Sequence, residues 1–291
     1  MQQLAFYQSL WAMEQRRPGV AERPLEETIA MIADAGYRGV GLDLAMTDVP
    51  LAEAARPLLE RHGLACLFNG FPRSDDELRI MLAMAKDFGS PFLNVIGQIM
   101  PRTLGEMIDV AKRWIDIADV AGLPLVFETH RHGLLNDLFP TLSMLDAVDD
   151  LALCADLSHF VVDREFPAEP DADSQRMITE VLDRSVAFQG RISSNEQIQL
   201  PIGFPQHQAW VERFFAWWDQ GLRAWRARAP ADATVTFLCE LGPPPYAITG
   251  PDGLELSDRW REALAIRERV AALWRAMEEA DGLDPLELSN S

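Results

Sequence analysis

The chain has 291 residues, and 48% apolar with 24% charged side chains is the composition of a protein that buries a core. Disorder, collagen and coiled coils are thereby excluded. With 26 basic and 45 acidic residues the net charge is −19, which disfavours a phosphate backbone, so we expect no nucleic-acid partner.

No apolar run reaches the roughly 20 residues of a membrane span, and the segment MQQLAFYQSLW lacks the basic start of a secretory signal. We therefore expect a cytoplasmic protein with no membrane partner. The three cysteines, Cys66, Cys154 and Cys239, are widely spaced and each lies in an apolar run. This pattern predicts buried free thiols and excludes a disulfide framework.

Eight short β-rich segments alternate with longer helical patterns, as in a parallel sheet with crossover helices. The segments span 4–7, 39–43, 64–68, 92–96, 123–128, 151–156, 190–193 and 235–240. Eight units of about 36 residues predict one α/β domain, a single (β/α)8 TIM barrel over residues 1–275, followed by an acidic C-terminal tail over 276–291. A doubly wound open sheet is the alternative, but the first strand-to-helix link has no GxGxxG motif.

The segment 208–228 carries an aromatic face at helical spacing. Its members are Trp210, Phe214, Trp217, Trp218 and Trp225. We expect this face to pack on the barrel. The alternative is a homo-oligomer contact, because interfaces are enriched in Trp.

Three predicted strands end in a carboxylate: Glu128 closes LPLVFE, Asp156 closes LALCAD and Glu240 closes VTFLCE. The C-terminal strand ends of a barrel meet at one face, here called the mouth, which carries the active site in barrel enzymes. Acids that converge there repel one another unless a cation neutralises them, so the pattern favours a divalent metal. A capped or paired structural acid is the alternative for any one of them.

Other polar side chains near the strand ends are candidate substrate ligands. His130 and His159 follow two of the carboxylates by two and three residues, where imidazole can bind metal, transfer a proton or donate to a hydroxyl. Turn or helix capping is the alternative for three further side chains: Asp43, Asn69 and Asn94. We expect Trp11 to form a wall of the pocket.

The segments VFETH, ADLSH and CELG resemble the strand-end pattern of the xylose isomerase-like TIM barrel superfamily of sugar isomerases and epimerases. The resemblance implies a divalent metal (Mn, Mg, Co or Zn) held by Glu128, Asp156 and Glu240. It also implies that Glu128 and Glu240 exchange the substrate proton from opposite faces. His130 and His159 would donate hydrogen bonds to substrate oxygens.

The seventh-strand segment GRISSNEQIQLP departs from the family, which has a metal-binding histidine and a later arginine there. Ser193 stands at the expected histidine position and Gln199 near the arginine position. Three possibilities follow. Glu196, Gln197 or Gln199 supplies an oxygen to metal or substrate; the metal keeps three protein ligands and is completed by water or substrate; or metal binding has been lost.

The leading functional hypothesis is a metal-dependent isomerase or epimerase of a small sugar or hydroxy-carbonyl compound that reacts through an enediolate. One alternative is a lyase of the inosose dehydratase type, in which the same intermediate expels a hydroxyl. A second alternative is a non-catalytic sugar-binding barrel without metal. Burying three acids with no cation would be costly, which argues against that alternative.

Overall fold

A computed structural model of the protein describes residues 1–282. Eight parallel strands form a closed barrel in sequential order, and β1 pairs with β8 to close it. The strands are β1 (Gln3–Ser9), β2 (Gly39–Leu44), β3 (Ala65–Gly70), β4 (Leu93–Val95), β5 (Leu125–Glu128), β6 (Leu153–Ala155), β7 (Ser185–Gly190) and β8 (Thr234–Cys239). The predicted (β/α)8 TIM barrel is confirmed, and the open sheet is excluded.

The helices cover the outside of the barrel. They are α1 (Leu25–Asp34), α2 (Val49–His62), α3 (Asp75–Asp87), α4 (Leu104–Ala121), α5 (Leu138–Ala147), α6 (Leu157–Asp163), α7 (Ala172–Asp183), α8 (Gln208–Arg228) and α9 (Arg259–Gly282). Local chemistry sets several ends. Thr103 and Glu106 form a capping box before α4, and Gly122 ends that helix in the left-handed conformation.

The seventh strand, β7, begins five residues before the predicted segment 190–193 and ends at Gly190, so the predicted position was wrong. The preceding helix, α7, ends at Asp183. Apolar residues at 178, 181, 182 and 186 continue the helical period into the strand, so local periodicity does not mark the boundary. Pairing of β7 with β6 and β8 decides it.

The core lies between the barrel and its helices, and the aromatic face of α8 contributes to it. Phe214, Trp217, Trp218 and Trp225 are buried within the chain, which confirms the expected packing, while Trp210 is half-buried. The homo-oligomer contact stays a prediction. All three cysteines are buried and free, as expected.

The predicted C-terminal tail is described only in part. Residues 276–282 belong to α9, and residues 283–291 lie outside the described residues. Within residues 1–282, none of the helices combines the length and the apolarity that a bilayer span requires.

Candidate active site

The three strand-end carboxylates converge at the mouth of the barrel. Glu128 ends β5, Asp156 follows β6 and Glu240 follows β8, and one oxygen of each lies within 4.8 Å of the others. All three are buried, with Asp156 fully enclosed. We call these three residues the carboxylate cluster.

Arg191 lies against the carboxylate cluster, and it is not among the site residues predicted from the sequence. Its Nε is 3.2 Å from Asp156 Oδ2, and its Nη2 is 3.0 Å from Glu240 Oε2. The guanidinium is 2% exposed. A protein cation therefore neutralises part of the charge that was expected to require a metal.

The true end of β7 explains why Arg191 was missed. Gln189 lies on β7 and Arg191 directly follows it, whereas the Ser193 hydroxyl donates to the Ser158 carbonyl at 3.3 Å. Gln189 and Arg191, not Ser193, are the seventh-strand side chains that contact the carboxylates. A strand predicted over residues 187–190 (AFQG) would have placed Gln189 and Arg191 on the same face, because side chains alternate along a strand.

A chain of amides links the carboxylate cluster to the neighbouring strands. Asn94 donates to Glu128 Oε2 at 2.6 Å and to Asn69 Oδ1 at 3.0 Å, and Asn69 donates to Asp43 at 3.1 Å. Gln189 Nε2 donates to the same oxygen of Glu128 from the other side. The polar residues predicted near β2, β3 and β4 are thus brought together with Glu128.

Asp156 orients the segment that carries His159. Its Oδ1 accepts hydrogen bonds from the backbone N–H and the hydroxyl of Ser158. Asp156 is thereby the N-cap of the short helix α6. His159 is fully buried, with Nε2 3.5 Å from Asp156 Oδ2, and neither ring nitrogen has a hydrogen-bond partner within residues 1–282.

His130 packs against His159, with ring centroids 3.9 Å apart. Its Nδ1 accepts from the backbone N–H of His132 at 3.0 Å. In a neutral imidazole this places the ring hydrogen on Nε2, which makes His130 a donor through Nε2. Glu128, His130 and His159 also form a second group of potential metal ligands.

The two glutamines predicted after the seventh strand lie in different environments. Gln199 is buried and donates to the Gly242 carbonyl at 3.0 Å, which holds the loop after β8 in place. Its Oε1 has no partner in the described part of the chain. Gln197 is exposed, and its backbone closes a turn with Ser194.

Two aromatic rings line the mouth beside the carboxylate cluster. Trp11 and Tyr246 pack edge to face at 5.2 Å, and the Arg191 guanidinium lies 4.8 Å from the centre of the Tyr246 ring. The Trp11 ring occupies the space where a side chain at Gly242 would project. Trp11 and Asp43 also line an adjoining cavity of about 440 Å³.

Burial dominates the electrostatics of the mouth. It raises the pKa of Glu128 well above its ordinary value, and the nearby negative charges of Glu240 and Asp156 raise it further. Burial likewise raises the pKa of Glu240 to about 8, although Arg191 opposes the shift. The pKa values of His130 and His159 are lowered by burial, so both rings are neutral at pH 7.

The residues present fit a divalent cation. When all three carboxyl groups are ionised, they and the Arg191 guanidinium leave two negative charges in a buried site, the charge that a divalent ion balances. Several buried polar atoms at the mouth have no hydrogen-bond partner within residues 1–282: Asn94 Oδ1, Gln189 Oε1, Arg191 Nη1 and both His159 nitrogens. Such atoms are expected where a ligand or ion binds.

No protein-family model matches the chain, and neither does any curated protein. Solved structures do match. A xylose isomerase-like TIM barrel protein from Mycobacterium smegmatis, in complex with magnesium, is 14% identical with a TM-score of 0.58 over 93% of this chain and 97% of that chain. An L-ribulose 3-epimerase is 18% identical with a TM-score of 0.59 over 95% and 98% of the two chains.

A D-allulose 3-epimerase from Methylomonas sp., in complex with D-allulose, is 15% identical with a TM-score of 0.56 over 94% and 97% of the two chains. At such low identities the similarity is one of fold. It shows that this chain shares the (β/α)8 barrel fold of these three structures.

Proposed function

We propose that this protein is an enzyme, a divalent-metal-dependent isomerase or epimerase of a small sugar or related hydroxy-carbonyl compound. The observation that carries the proposal is the carboxylate cluster. Three buried acids from three strands lie within 4.8 Å of one another and are only partly neutralised by Arg191. Structural acids rarely converge in this way, because each buried charge costs free energy that pairing only partly recovers.

A divalent metal would be held by Glu128, Asp156 and Glu240. When bound, it polarises a substrate carbonyl and stabilises the negative charge that develops as the adjacent C–H bond loses its proton. Mn, Mg, Co and Zn are the candidates from the family resemblance, and the magnesium complex of the Mycobacterium smegmatis barrel supports a metal of this class.

Glu128 and Glu240 are suited to the proton transfers. A carboxyl group whose pKa is raised towards neutrality can both accept and return a proton near pH 7. Burial does this for both residues. Glu128 is also held in place by the Asn94 and Gln189 amides, which fixes one of its oxygens and leaves the other to act.

The remaining polar groups would bind substrate oxygens. His130 presents its Nε2 hydrogen, and Arg191 presents Nη1, which has no hydrogen-bond partner among residues 1–282. Trp11 and Tyr246 offer aromatic faces for the C–H groups of a sugar. The adjoining cavity of about 440 Å³ is within the size range of small-molecule sites.

The first test is metal content. Purified protein is analysed for metals beside the double variant Glu240→Gln, Asp156→Asn, with Glu196→Gln as a control because Glu196 is exposed. We expect one divalent metal per chain in the parent and the control, and none in the double variant. A parent that binds no metal after incubation with Mn, Mg, Co and Zn contradicts the proposal.

The second test is reaction type. Ketoses and inososes are incubated with the metal-loaded protein in D2O and followed by NMR. We expect deuterium at the carbon beside the carbonyl together with an epimer or isomer, and a loss of about 10²-fold or more in Glu240→Gln. A dehydrated product would indicate the lyase. Tight substrate binding without exchange would indicate a binding barrel.

A further inference from the structure

Arg191 contacts carboxylate oxygens that a cation at the mouth would also need. Ser158 donates two hydrogen bonds to Asp156 Oδ1, so Oδ2 is the oxygen of this carboxylate that is left for an ion. Arg191 Nε lies 3.2 Å from that same Oδ2. Its Nη2 lies 3.0 Å from Glu240 Oε2. The guanidinium therefore bridges two of the three acids.

The aromatic rings beside the carboxylate cluster give the guanidinium a second set of contacts. It lies 4.8 Å from the centre of the Tyr246 ring and 5.8 Å from that of Trp11. At such distances an aromatic face attracts an arginine. These contacts do not depend on the acids, so a guanidinium that leaves the acids still has a favourable neighbour.

We propose that Arg191 is an internal counter-ion that competes with the divalent cation for Asp156 and Glu240, and that cation binding releases the guanidinium from both acids. The inference rests on the proposed function, since it concerns the metal which that function requires. Arg191 then sets how tightly the metal binds. Once released, it stays beside Tyr246 with its N–H groups free to donate to substrate oxygens.

Charge repulsion supports the competition. An ion bound to Asp156 Oδ2 and Glu240 Oε2 would share both oxygens with the guanidinium. Like charges at such short separations repel strongly in a buried site, where water and salt screen them little. Arg191 is 2% exposed, so this repulsion is not relieved by solvent. The three acids should therefore attract a divalent ion more strongly without the guanidinium than with it.

The alternative is that Arg191 holds the acids at the spacing that the ion needs. Removing it would then weaken metal binding. Other contacts already position these acids, which argues against this alternative. The backbone N–H and the hydroxyl of Ser158 hold Asp156, and Glu240 directly follows β8, which is paired with strands on both sides. The two possibilities predict changes of opposite sign.

The experiment measures metal binding, not activity. Metal-free full-length protein is titrated with Mn²⁺ by calorimetry and by electron paramagnetic resonance at one fixed pH, because metal binding releases protons. Arg191→Met and Arg191→Gln remove the charge, and Arg191→Lys retains it. Arg223→Met is the matched control, because it removes one positive charge from a half-exposed ion pair on α8.

We expect Arg191→Met and Arg191→Gln to bind Mn²⁺ at least about tenfold more tightly than the parent, because a repelling charge is gone. Arg191→Lys and Arg223→Met should stay within about threefold of the parent, since the first keeps the charge and the second removes a screened one. Near-ultraviolet circular dichroism of each metal-free variant checks that it is folded.

A second measurement uses the parent protein and needs no variant. In a crystal structure of the Mn²⁺-loaded parent, we expect no nitrogen of Arg191 within about 4 Å of a carboxylate oxygen of Asp156 or Glu240, the limit for an ion pair. The metal-free structure has both ion pairs. An Mn²⁺-loaded structure that keeps both pairs would refute the release.

The binding data separate failure of the inference from failure of the proposed function. If the folded Arg191→Met and Arg191→Gln proteins bind Mn²⁺ no more tightly than the parent, Arg191 does not compete, while the metal-dependent function stands. The same holds if Arg191→Lys gains as much affinity as the two neutral variants, because the charge is then not the cause. If the parent binds none of Mn, Mg, Co and Zn, the inference and the proposed function fail together.

Discussion

The guanidinium of Arg191 lies between carboxylates that come from two different strands. It contacts Asp156 and Glu240 at 3.2 and 3.0 Å in a buried site. A buried ion pair contributes little net stability compared with apolar packing, but removing one partner leaves a charge without compensation. Arg191 therefore allows these acids to be held close together.

We predict that Arg191→Met destabilises the metal-free protein by about 3 kcal/mol or more above pH 8, where Glu240, with a pKa of about 8, is ionised. The loss should shrink at low pH, because protonated carboxyl groups need no cation nearby. Urea unfolding at several pH values measures both effects. The control is Arg223→Met at a half-exposed ion pair with Asp219, which should cost less than about 1 kcal/mol. Equal losses in the two variants would refute this role of Arg191.

At the scale of the element, the position of β7 depends on how closely α8 packs against it. Gly221 of α8 faces Phe188 of β7, and a methyl group at residue 221 would come within 2.6 Å of the Phe188 ring. It would also come within 2.9 Å of Leu182 in α7. The glycine therefore lets the helix approach the strand that carries Gln189 and leads to Arg191.

We predict that Gly221→Ala destabilises the protein by about 1–3 kcal/mol, because overpacking outweighs the higher helix propensity of alanine. Gly105→Ala is the matched control, since residue 105 lies in α4 with nothing within 4 Å of the added methyl. That variant should be neutral or slightly more stable. Thermal and denaturant unfolding compare the two, and a stabilising Gly221→Ala would show that the helix can move outward at little cost.

At the scale of the whole molecule, α9 is tied back to the mouth side of the barrel through Glu262. Its carboxylate accepts from the Ile202 backbone N–H at 2.9 Å and from the Ser257 hydroxyl at 3.1 Å. Burial raises the pKa of this carboxyl to about 7, against an ordinary value of 4.5. The folded protein therefore binds a proton more tightly here than the unfolded chain does.

The sign of the pH dependence follows from that difference. The contribution of Glu262 to stability is fully present below pH 4.5, falls as the pH rises to about 7, and is then constant. We predict that Glu262→Gln removes this part of the pH dependence, at most about 3 kcal/mol over the interval. Unfolding free energies of parent and variant between pH 4.5 and 8 test this. Parallel curves would show that Glu262 has an ordinary pKa.

Several features could be predicted from local sequence because local physics decides them. The alternation of eight strand patterns with helices predicted the barrel, since βα units need a parallel sheet. The helix ends at Gly63 and Gly122 are local in the same sense, because glycine tolerates the left-handed conformation found at both positions. Glu128, Asp156 and Glu240 were identifiable because each closes an apolar strand, and the barrel brings such ends together.

The seventh strand could not be placed in this way. The helical period of Ile178, Val181, Leu182 and Val186 runs past the true end of α7, and only pairing with β6 and β8 turns the following residues into a strand. That shift decides that Gln189 and Arg191 face the carboxylates and that Ser193 does not. The sequence alone thus determined the barrel and its acids, because these depend on periodicity and strand ends. Only the tertiary structure decided that the Arg191 guanidinium and the Gln189 amide contact these acids, because contacts between distant strands have no local signal.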